Sequence, residues 1–176
     1  MKFFTSICLA IFFATSAFGA ETKIELKSPD GKFVGIFYLN PEGRINYEAS
    51  RDGVPVVLRS QIGLHINDVD IGVNATKVGE ELYKIDETYP FHGTHSPAIN
   101  KCNGIKIALK AGAVNWTLEG RCYNDGFAFR YVIPGEGKRT VSRDLTTYAM
   151  PKGYKTKTLG VGKGEEARPC NGTTDK

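Results

Sequence analysis

After residue 20 the chain alternates apolar and polar positions with a period of two, and turn residues interrupt the alternation at short intervals. Ile24-Glu25-Leu26 alternates and stops at Ser28-Pro29-Asp30-Gly31, a tetrapeptide built from turn-forming residues. Lys32 to Leu39 is apolar on both faces, which predicts a strand covered on both sides. Asn40-Pro41-Glu42-Gly43 places Pro second and Gly fourth, as a β-turn prefers. Arg44 to Ser50 then returns with Ile45, Tyr47 and Ala49 on one face. Pairing Leu39 with Arg44 sets Ile36 against Tyr47 and Val34 against Ala49, so apolar faces meet.

Arg51-Asp52-Gly53 marks the next turn. Val54 to Leu58 carries Pro55, which predicts a late start or an edge position. Ile62 to Ile66 is another short strand, closed by Asn67-Asp68-Val69-Asp70. Gly72 to Tyr83 predicts only a weak strand, near Lys77–Val78 or Glu81–Ile85, and Tyr89 to Asn103 reads as a loop because Pro90, Gly93 and Pro97 break any period. Ile105, Ile107 and Leu109 alternate with polar or small residues, as do Val114, Trp116 and Leu118. Setting Leu109 opposite Val114 gives a hairpin with Ala111-Gly112 as its two-residue loop. Tyr123-Asn124-Asp125-Gly126 turns the chain into a strand from Phe127 to Ile133. Pro134-Gly135-Glu136-Gly137 turns it again before Arg139 to Ala149. Short, regularly spaced strands with Gly/Pro turns, and no helical period after residue 19, predict an all-β antiparallel sandwich or barrel.

The two ends differ from this body. Residues 1–19 have Lys2, an apolar run from Phe3 to Ala14, and small residues at −3 and −1 of a cut before Ala20. That is the pattern of a signal peptide, with cleavage after Ala20 as a second option; it predicts export to the periplasm or the extracellular space. Residues 152–176 hold six basic and three acidic side chains but only five apolar residues. Such a segment buries too little surface to offset its ordering entropy, so a disordered basic tail is expected there. The domain organisation read from the chain is therefore 1–19 leader, 20–151 sandwich and 152–176 tail. Of the net charge of +4, Lys2 and the tail supply all, and residues 20–151 are neutral overall. A neutral body excludes a nucleic-acid groove, and no apolar run is long enough for a transmembrane helix.

Candidate chemistry is sparse. Glu80/Glu81, Asp86/Glu87 and Glu165/Glu166 are neighbours in sequence, whereas glycoside hydrolysis needs carboxyls facing each other across a sugar. Adjacent strand residues point to opposite faces, so these pairs read as solvated surface. His92-Gly93-Thr94-His95 offers two imidazoles but no third metal ligand at a convincing spacing. Asn67-Asp68-Val69-Asp70 lacks the spacing and terminal Glu of a calcium loop. Tyr89, Phe91 and Trp116 are the aromatics to consider for stacking on sugar rings, against the alternative that they are core. There is no Gly-x-Ser-x-Gly elbow, Walker loop or His-Glu-x-x-His. Cys102, Cys122 and Cys170 follow the leader, an odd number that suits one disulfide plus one free thiol. The hairpin register sends Cys102 and Cys122 to opposite sides, so pairing them needs a bulge, as at Asn103-Gly104. Asn74-Ala75-Thr76, Asn115-Trp116-Thr117 and Asn171-Gly172-Thr173 match glycosylation sequons, which matter only in a eukaryotic secretory host.

Tyr123-Asn124-Asp125-Gly126-Phe127-Ala128-Phe129-Arg130-Tyr131 resembles the N-terminal domain of family 97 glycoside hydrolases, secreted bacterial α-glucosidases and α-galactosidases. Ser28-Pro29-Asp30-Gly31, Tyr47 with Arg51-Asp52-Gly53, Ser60-Gln61-Ile62-Gly63-Leu64, and Asn103 before Ile105 follow the family order, over about residues 24–150. The resemblance implies a β-super-sandwich like that of galactose mutarotase, here incomplete, with a catalytic (β/α)8 barrel as its partner. That barrel would supply the acid, the base or nucleophile, and most ligands of a calcium ion. The sandwich would give one glutamate to the calcium, from a Tyr/Glu-rich stretch after Met150. Lys152-Gly153-Tyr154-Lys155 onward departs from that stretch, and Cys102 and Gly104 stand where the family has a Tyr and a Glu. No catalytic residue and no metal ligand is therefore assigned, and no cofactor is expected in this chain. The function expected is that of a non-catalytic fragment of such an enzyme; the alternatives are a free-standing carbohydrate-binding sandwich and a redox or metal protein built on Cys102, Cys122 and the two histidines.

Overall fold

A computed structural model describes residues 20–90, 97–154, 156–159 and 169–172, all in strands, turns and loops. Four strands form the first sheet in sequence order: β1 (Thr22–Lys27), β2 (Phe33–Leu39), β3 (Ile45–Arg51) and β4 (Val54–Gln61). Two short strands, β5 (Leu64–Ile66) and β6 (Val69–Asp70), follow. The second four-stranded sheet contains β7 (Ala75–Tyr89), β8 (Ala98–Ala111), β9 (Val114–Tyr123) and β10 (Gly126–Val132), in the order β10-β9-β8-β7. β11 (Val141–Asp144) joins β5 and β6 in a small third sheet. All these ladders are antiparallel. The expected all-β antiparallel sandwich is what forms.

The sheets face each other with β1 over β8 and β9, and β2 over β9 and β10. Leu26, Phe37, Ile45 and Tyr47 of the first sheet meet Ile105, Ile107, Leu109, Trp116 and Leu118 of the second, all buried. Two glycines let the layers close. A Cβ on Gly120 would stand 2.7 Å from the Phe37 ring, and one on Gly35 would run into the ring of Phe127. Close approach of ring to backbone, rather than unusual dihedrals, is what requires glycine at both positions.

Two registers differ from expectation, each because of one glycine. Between β2 and β3, Phe37 faces Tyr47 and Leu39 faces Ile45, one residue away from the expected pairing. Asn40 N donates to Arg44 O at 3.1 Å and Gly43 sits at φ 73°, so the loop is a type I turn followed by a left-handed residue. That odd extra residue moves the core face from Val34/Ile36/Tyr38 to Phe33/Gly35/Phe37. In the hairpin of β8 and β9, Ala111 pairs with Val114 and Leu109 with Trp116. The loop is Gly112-Ala113, with Gly112 at φ 58° in the first central position of a primed turn. The expected loop would have put Ala111 there, where a Cβ is unfavourable. The shift is two residues in partner, so the core face of this hairpin is unchanged.

The weak reading of 72–103 is also corrected. β7 runs for 15 residues and β8 starts at Ala98, well inside the expected loop. A bulge between Lys77 and Gly79 breaks the alternation of β7, and Val78 and Leu82 lie exposed, so the strand shows no clean apolar face in sequence. It is held by its ladder to β8 rather than by core burial. β4 is an edge strand with Pro55 in an irregular ladder, as expected. Within 152–176, where a disordered tail is expected, β12 (Thr156–Leu159) pairs antiparallel with β13 (Pro169–Gly172). A two-stranded ribbon satisfies backbone groups without a large apolar face, which composition does not reveal. Among the described residues no helix is long and apolar enough to cross a membrane.

Candidate functional site

On the outer face of the second sheet, cross-strand pairing brings four side chains together. Tyr83 faces Gly104, Gly104 faces Arg121, and Glu119 faces Arg130. Gly104 lacks the side chain that would block Tyr83; a Cβ there would lie within 2.6 Å of Tyr83 Cε1. The ring therefore lies over the backbone of β8, and its hydroxyl donates to Glu119 Oε1 at 2.5 Å. Arg121 donates to the same oxygen at 3.2 Å, and Arg130 to Oε2 at 2.6 Å. Glu119 is buried, with 6% of its side chain exposed. Burial by itself would raise its pKa; the hydrogen bonds from Tyr83, Arg130 and Arg121, with the charge of Arg130, outweigh this and hold it down to about 2. Burial and the bond to Glu119 push the Tyr83 phenol up. Arg121, bonded to Tyr123 and Tyr83, is held still more firmly protonated. A hollow of about 210 Å³ opens over this cluster, lined by Glu119, Arg121, Tyr123, Ala128, Phe129 and Arg130. A carboxylate locked in its charged form by two guanidiniums cannot donate a proton at neutral pH, so the cluster can bind polar groups but not act as a general acid.

The carboxylates singled out in sequence do not face each other. Glu80 pairs with Lys77 at 2.8 Å, Glu81 with Lys106 at 3.3 Å and Asp86 with Lys101 at 2.6 Å, while Glu87 accepts from Asn100 at 2.5 Å. These are exposed cross-strand and edge contacts of the kind that guard a sheet edge. Glu165, Glu166, Phe91, His92 and His95 lie outside the described residues. Asn67 and Asp68 are the central residues of a primed turn, at φ 46° and 65°. Asn67 Oδ1 accepts from Thr140 N at 3.0 Å, and Asp70 Oδ1 from Gly72 N at 2.8 Å. These oxygens serve the backbone. Among the described residues no three His, Cys, Asp or Glu side chains gather as metal ligands. Of the stretch after Met150, from which the family resemblance draws one calcium ligand, 151–154, 156–159 and 169–172 are described and contain no Asp or Glu.

Trp116 is 1% exposed, so it is core and not a stacking platform, and its Nε1 has no hydrogen-bond partner among the described residues. Tyr89, at the end of β7, is 46% exposed. Cys102 and Cys122 are free and buried. Ile85 faces Cys102 and Asn103 faces Cys122, so the two thiols sit on opposite faces, and no bulge interrupts β8 and β9 to bring them together. Burial pushes the Cys122 thiol up to about 11, and its Sγ donates to Phe33 O at 3.4 Å. Ser142 and His65 Nδ1 lie 2.7 Å apart, a contact that sequence order did not reveal. Asp70, the cross-strand partner of His65, accepts instead from Gly72 N, and among the described residues no carboxylate is bonded to the imidazole as a hydrolase triad requires.

The turn motifs are architectural. Asn124 and Asp125 occupy the loop between Tyr123 and Gly126, and Asn124 Oδ1 accepts from Asp30 N at 3.1 Å. The Ser28–Gly31 turn is itself tied by Ser28 Oγ to Asp30 Oδ1 at 2.6 Å and by Phe33 N to Ser28 Oγ at 2.9 Å. The two turns thus pin one end of the sandwich. Asn103 Nδ2 adds a bond to Lys27 O at 2.8 Å at the same end.

Fold and site together define a β-sandwich that positions no opposed carboxylates among its described residues. A family model described as Glycosyl-hydrolase 97 N-terminal matches residues 26–169, and the chain belongs to that family. It is 27% identical over 153 residues to a protein named retaining alpha-galactosidase from Bacteroides thetaiotaomicron, covering 86% of this chain and 22% of that protein. A crystal structure titled beta-arabinopyranosidase is similar at 24% identity and TM-score 0.69, covering 77% of this chain and 22% of that one. A Glycoside Hydrolase Family 97 enzyme from Pseudoalteromonas sp. strain K8, in complex with acarbose, matches at 14% identity and TM-score 0.69, covering 84% of this chain and 24% of that one. The chain thus spans about a fifth of the length of the relatives it matches.

Proposed function

We propose that this chain serves as the N-terminal β-sandwich of an exported family 97 glycoside hydrolase, packing against a catalytic (β/α)8 barrel. The parent reaction in this reading is calcium-dependent hydrolysis of α-glucosides or α-galactosides, in line with the relative named a retaining alpha-galactosidase. The sandwich acts as scaffold and leaves the bond cleavage to the barrel. One observation carries this reading: the single buried carboxylate among the described residues, Glu119, is tied to Arg121 and Arg130 and has no carboxyl partner across a cleft. Incubating the purified chain with aryl α-glucosides and α-galactosides, with and without calcium, should give no turnover; clear calcium-dependent release of the aryl group overturns the reading. Export rests on the leader pattern of residues 1–19 and predicts a mature N-terminus at Ala20 or Glu21 after secretion.

A second reading is favoured by the hollow above Glu119. Tyr123, Phe129, Arg121 and Arg130, which line it, offer the aromatic surface and hydrogen-bond donors that sugars use. A carbohydrate-binding sandwich predicts saturable heat on titration with an α-glucan or an α-galactoside, and loss of that heat in Arg121→Ala. The scaffold reading predicts no heat from either.

A further inference from the structure

Asp30-Gly31, Asp52-Gly53 and Asp125-Gly126 all lie at turns, and each pairs a side-chain carboxyl with the unhindered main-chain nitrogen of a glycine. Such a pair can close on itself, the glycine N attacking the Asp side-chain carbon. Closure needs an N–H that is not held in a hydrogen bond and a carboxyl free to turn onto it. The fold meets these conditions unequally at the three places.

At Asp30 both groups are occupied. Gly31 N donates to Ser28 O at 3.0 Å. Asp30 Oδ1 accepts from Ser28 Oγ at 2.6 Å and from Lys32 N at 3.1 Å, and these bonds hold the carboxyl below its usual range, in the charged form that resists attack. Gly126 is the ladder partner of Tyr123 and closes the β9–β10 loop, at the turn position whose N–H points back to the carbonyl of the first residue. Asp52-Gly53 has neither restraint. Arg51 and Val54 close that loop, so Asp52 and Gly53 are its two central residues, at φ 49° and 78°. In such a primed turn the closing bond uses the N–H of Val54 and leaves that of Gly53 outside the ladder. Among the described residues no acceptor meets Gly53 N, and no atom lies within 4 Å of a Cβ built on Gly53. The Asp52 side chain is 61% exposed, and its ion pair with Arg51 Nε is long, at 3.9 Å.

We infer that Asp52-Gly53 is a site of covalent self-modification, at which Asp52 converts to isoaspartate in the folded chain. Gly53 N bonds to Asp52 Cγ, and the carboxyl O–H leaves with the amide proton as water, closing a succinimide. Water then opens the ring at the main-chain carbonyl of Asp52, which routes the backbone through the side-chain carbon and frees an α-carboxylate. One water leaves and one returns, so no oxidant, reductant or cofactor is needed. The product has an extra methylene in the main chain of a two-residue loop, and it falls to β4, an edge strand with an irregular ladder, to absorb it. This chemistry is the chain's own and is independent of any hydrolase activity of the parent protein.

The test holds the full folded chain at neutral pH and 37 °C for weeks, then digests it and maps isoaspartate residue by residue. The readout is labelled methyl transfer from S-adenosylmethionine by an isoaspartyl methyltransferase. Residue 52 should convert at least about fivefold faster than residues 30 and 125, the factor set by one backbone hydrogen bond that must break first. A parallel incubation in urea frees all three N–H groups and should erase that preference. Asp52→Glu, whose longer side chain closes the ring poorly, should lose the label at position 52 and keep the folded-state rates at Asp30 and Asp125. Equal rates in the folded chain, faster conversion at Asp30 or Asp125, no conversion at Asp52, or a preference for Asp52 that persists in urea overturns the inference.

Discussion

The ring of Phe127 rests on the backbone of Gly35, so that a Cβ at position 35 would stand 2.6 Å from Phe127 Cζ. Phe37, two residues along the same strand, rests in turn on Gly120 of the facing sheet, and the Phe37 and Phe127 rings are 5.3 Å apart. Each sheet thus offers the other one ring and one bare backbone position. Gly35→Ala should lower stability by about 1–3 kcal/mol, the usual cost of forcing extra volume into a packed core. Thermal unfolding followed by circular dichroism measures it. A midpoint equal to wild type would mean that the sheets part readily at this point and that the interlock does not hold them.

Glu119 makes stability depend on acid. Its carboxyl sits at about 2 in the folded chain, against an ordinary value of 4.5 in the unfolded one. A depressed folded value means the stabilisation is complete above about pH 4.5 and is lost as pH falls toward 2. Glu119→Gln removes this dependence and leaves two guanidiniums without their counter-charge, a loss of roughly 1–3 kcal/mol at neutral pH. Urea midpoints from pH 7 to pH 2.5 should therefore converge for wild type and variant as the pH falls. Parallel curves over that range would show that the carboxylate is not the group responsible. Gly104→Ala should reproduce part of the loss, by lifting Tyr83 off Glu119.

How much of this was legible beforehand depends on what each residue signals locally. Alternation revealed the fold class and most strands, because a half-buried antiparallel strand writes its faces into the sequence. The register of β2 and β3 was not legible, since it turned on Gly43 taking a left-handed conformation, and Lys32–Leu39 is apolar on both faces. β7 was hidden by its bulge and its exposed Val78 and Leu82. The Glu119 cluster went unseen for a different reason. Its members come from β7, β9 and β10, and only cross-strand pairing places them side by side. Glu119-Gly120-Arg121 and Arg130 carry no spacing rule; the one local hint was Gly104 opening space on β8.

The cysteines offer a test of face assignment. Cys102 and Cys122 lie on opposite faces of the same sheet, both buried, and the Cys122 thiol is pushed up to about 11. A thiol so protonated and covered reacts only when the sheet opens. Alkylation at pH 8 with peptide mapping should leave both residues unmodified in the native chain and label both in urea. Recovery of a peptide disulfide linking Cys102 to Cys122 from the native protein would contradict the register of β8 and β9.

Two left-handed glycines separate backbone conformation from crowding. Gly31 and Gly43 have φ of 75° and 73°, so a side chain at either meets the same conformational penalty, about 1 kcal/mol. Around Gly31 nothing lies within 4 Å of a built Cβ, whereas at Gly43 that atom would meet Ala75 N at 2.5 Å and Ala75 O at 2.7 Å. Those Ala75 atoms belong to the start of β7, and Ala75 N donates to Gly43 O at 2.9 Å, so the hairpin loop of β2 and β3 is clamped to the second sheet there. Gly31→Ala should cost about 1 kcal/mol, and Gly43→Ala appreciably more, because the collision is with backbone that cannot swing aside. Urea unfolding of the two variants side by side decides it. If they lose equal stability, the clamp between the loop and β7 yields without cost, and the odd-length loop rather than this contact sets the register of the first sheet.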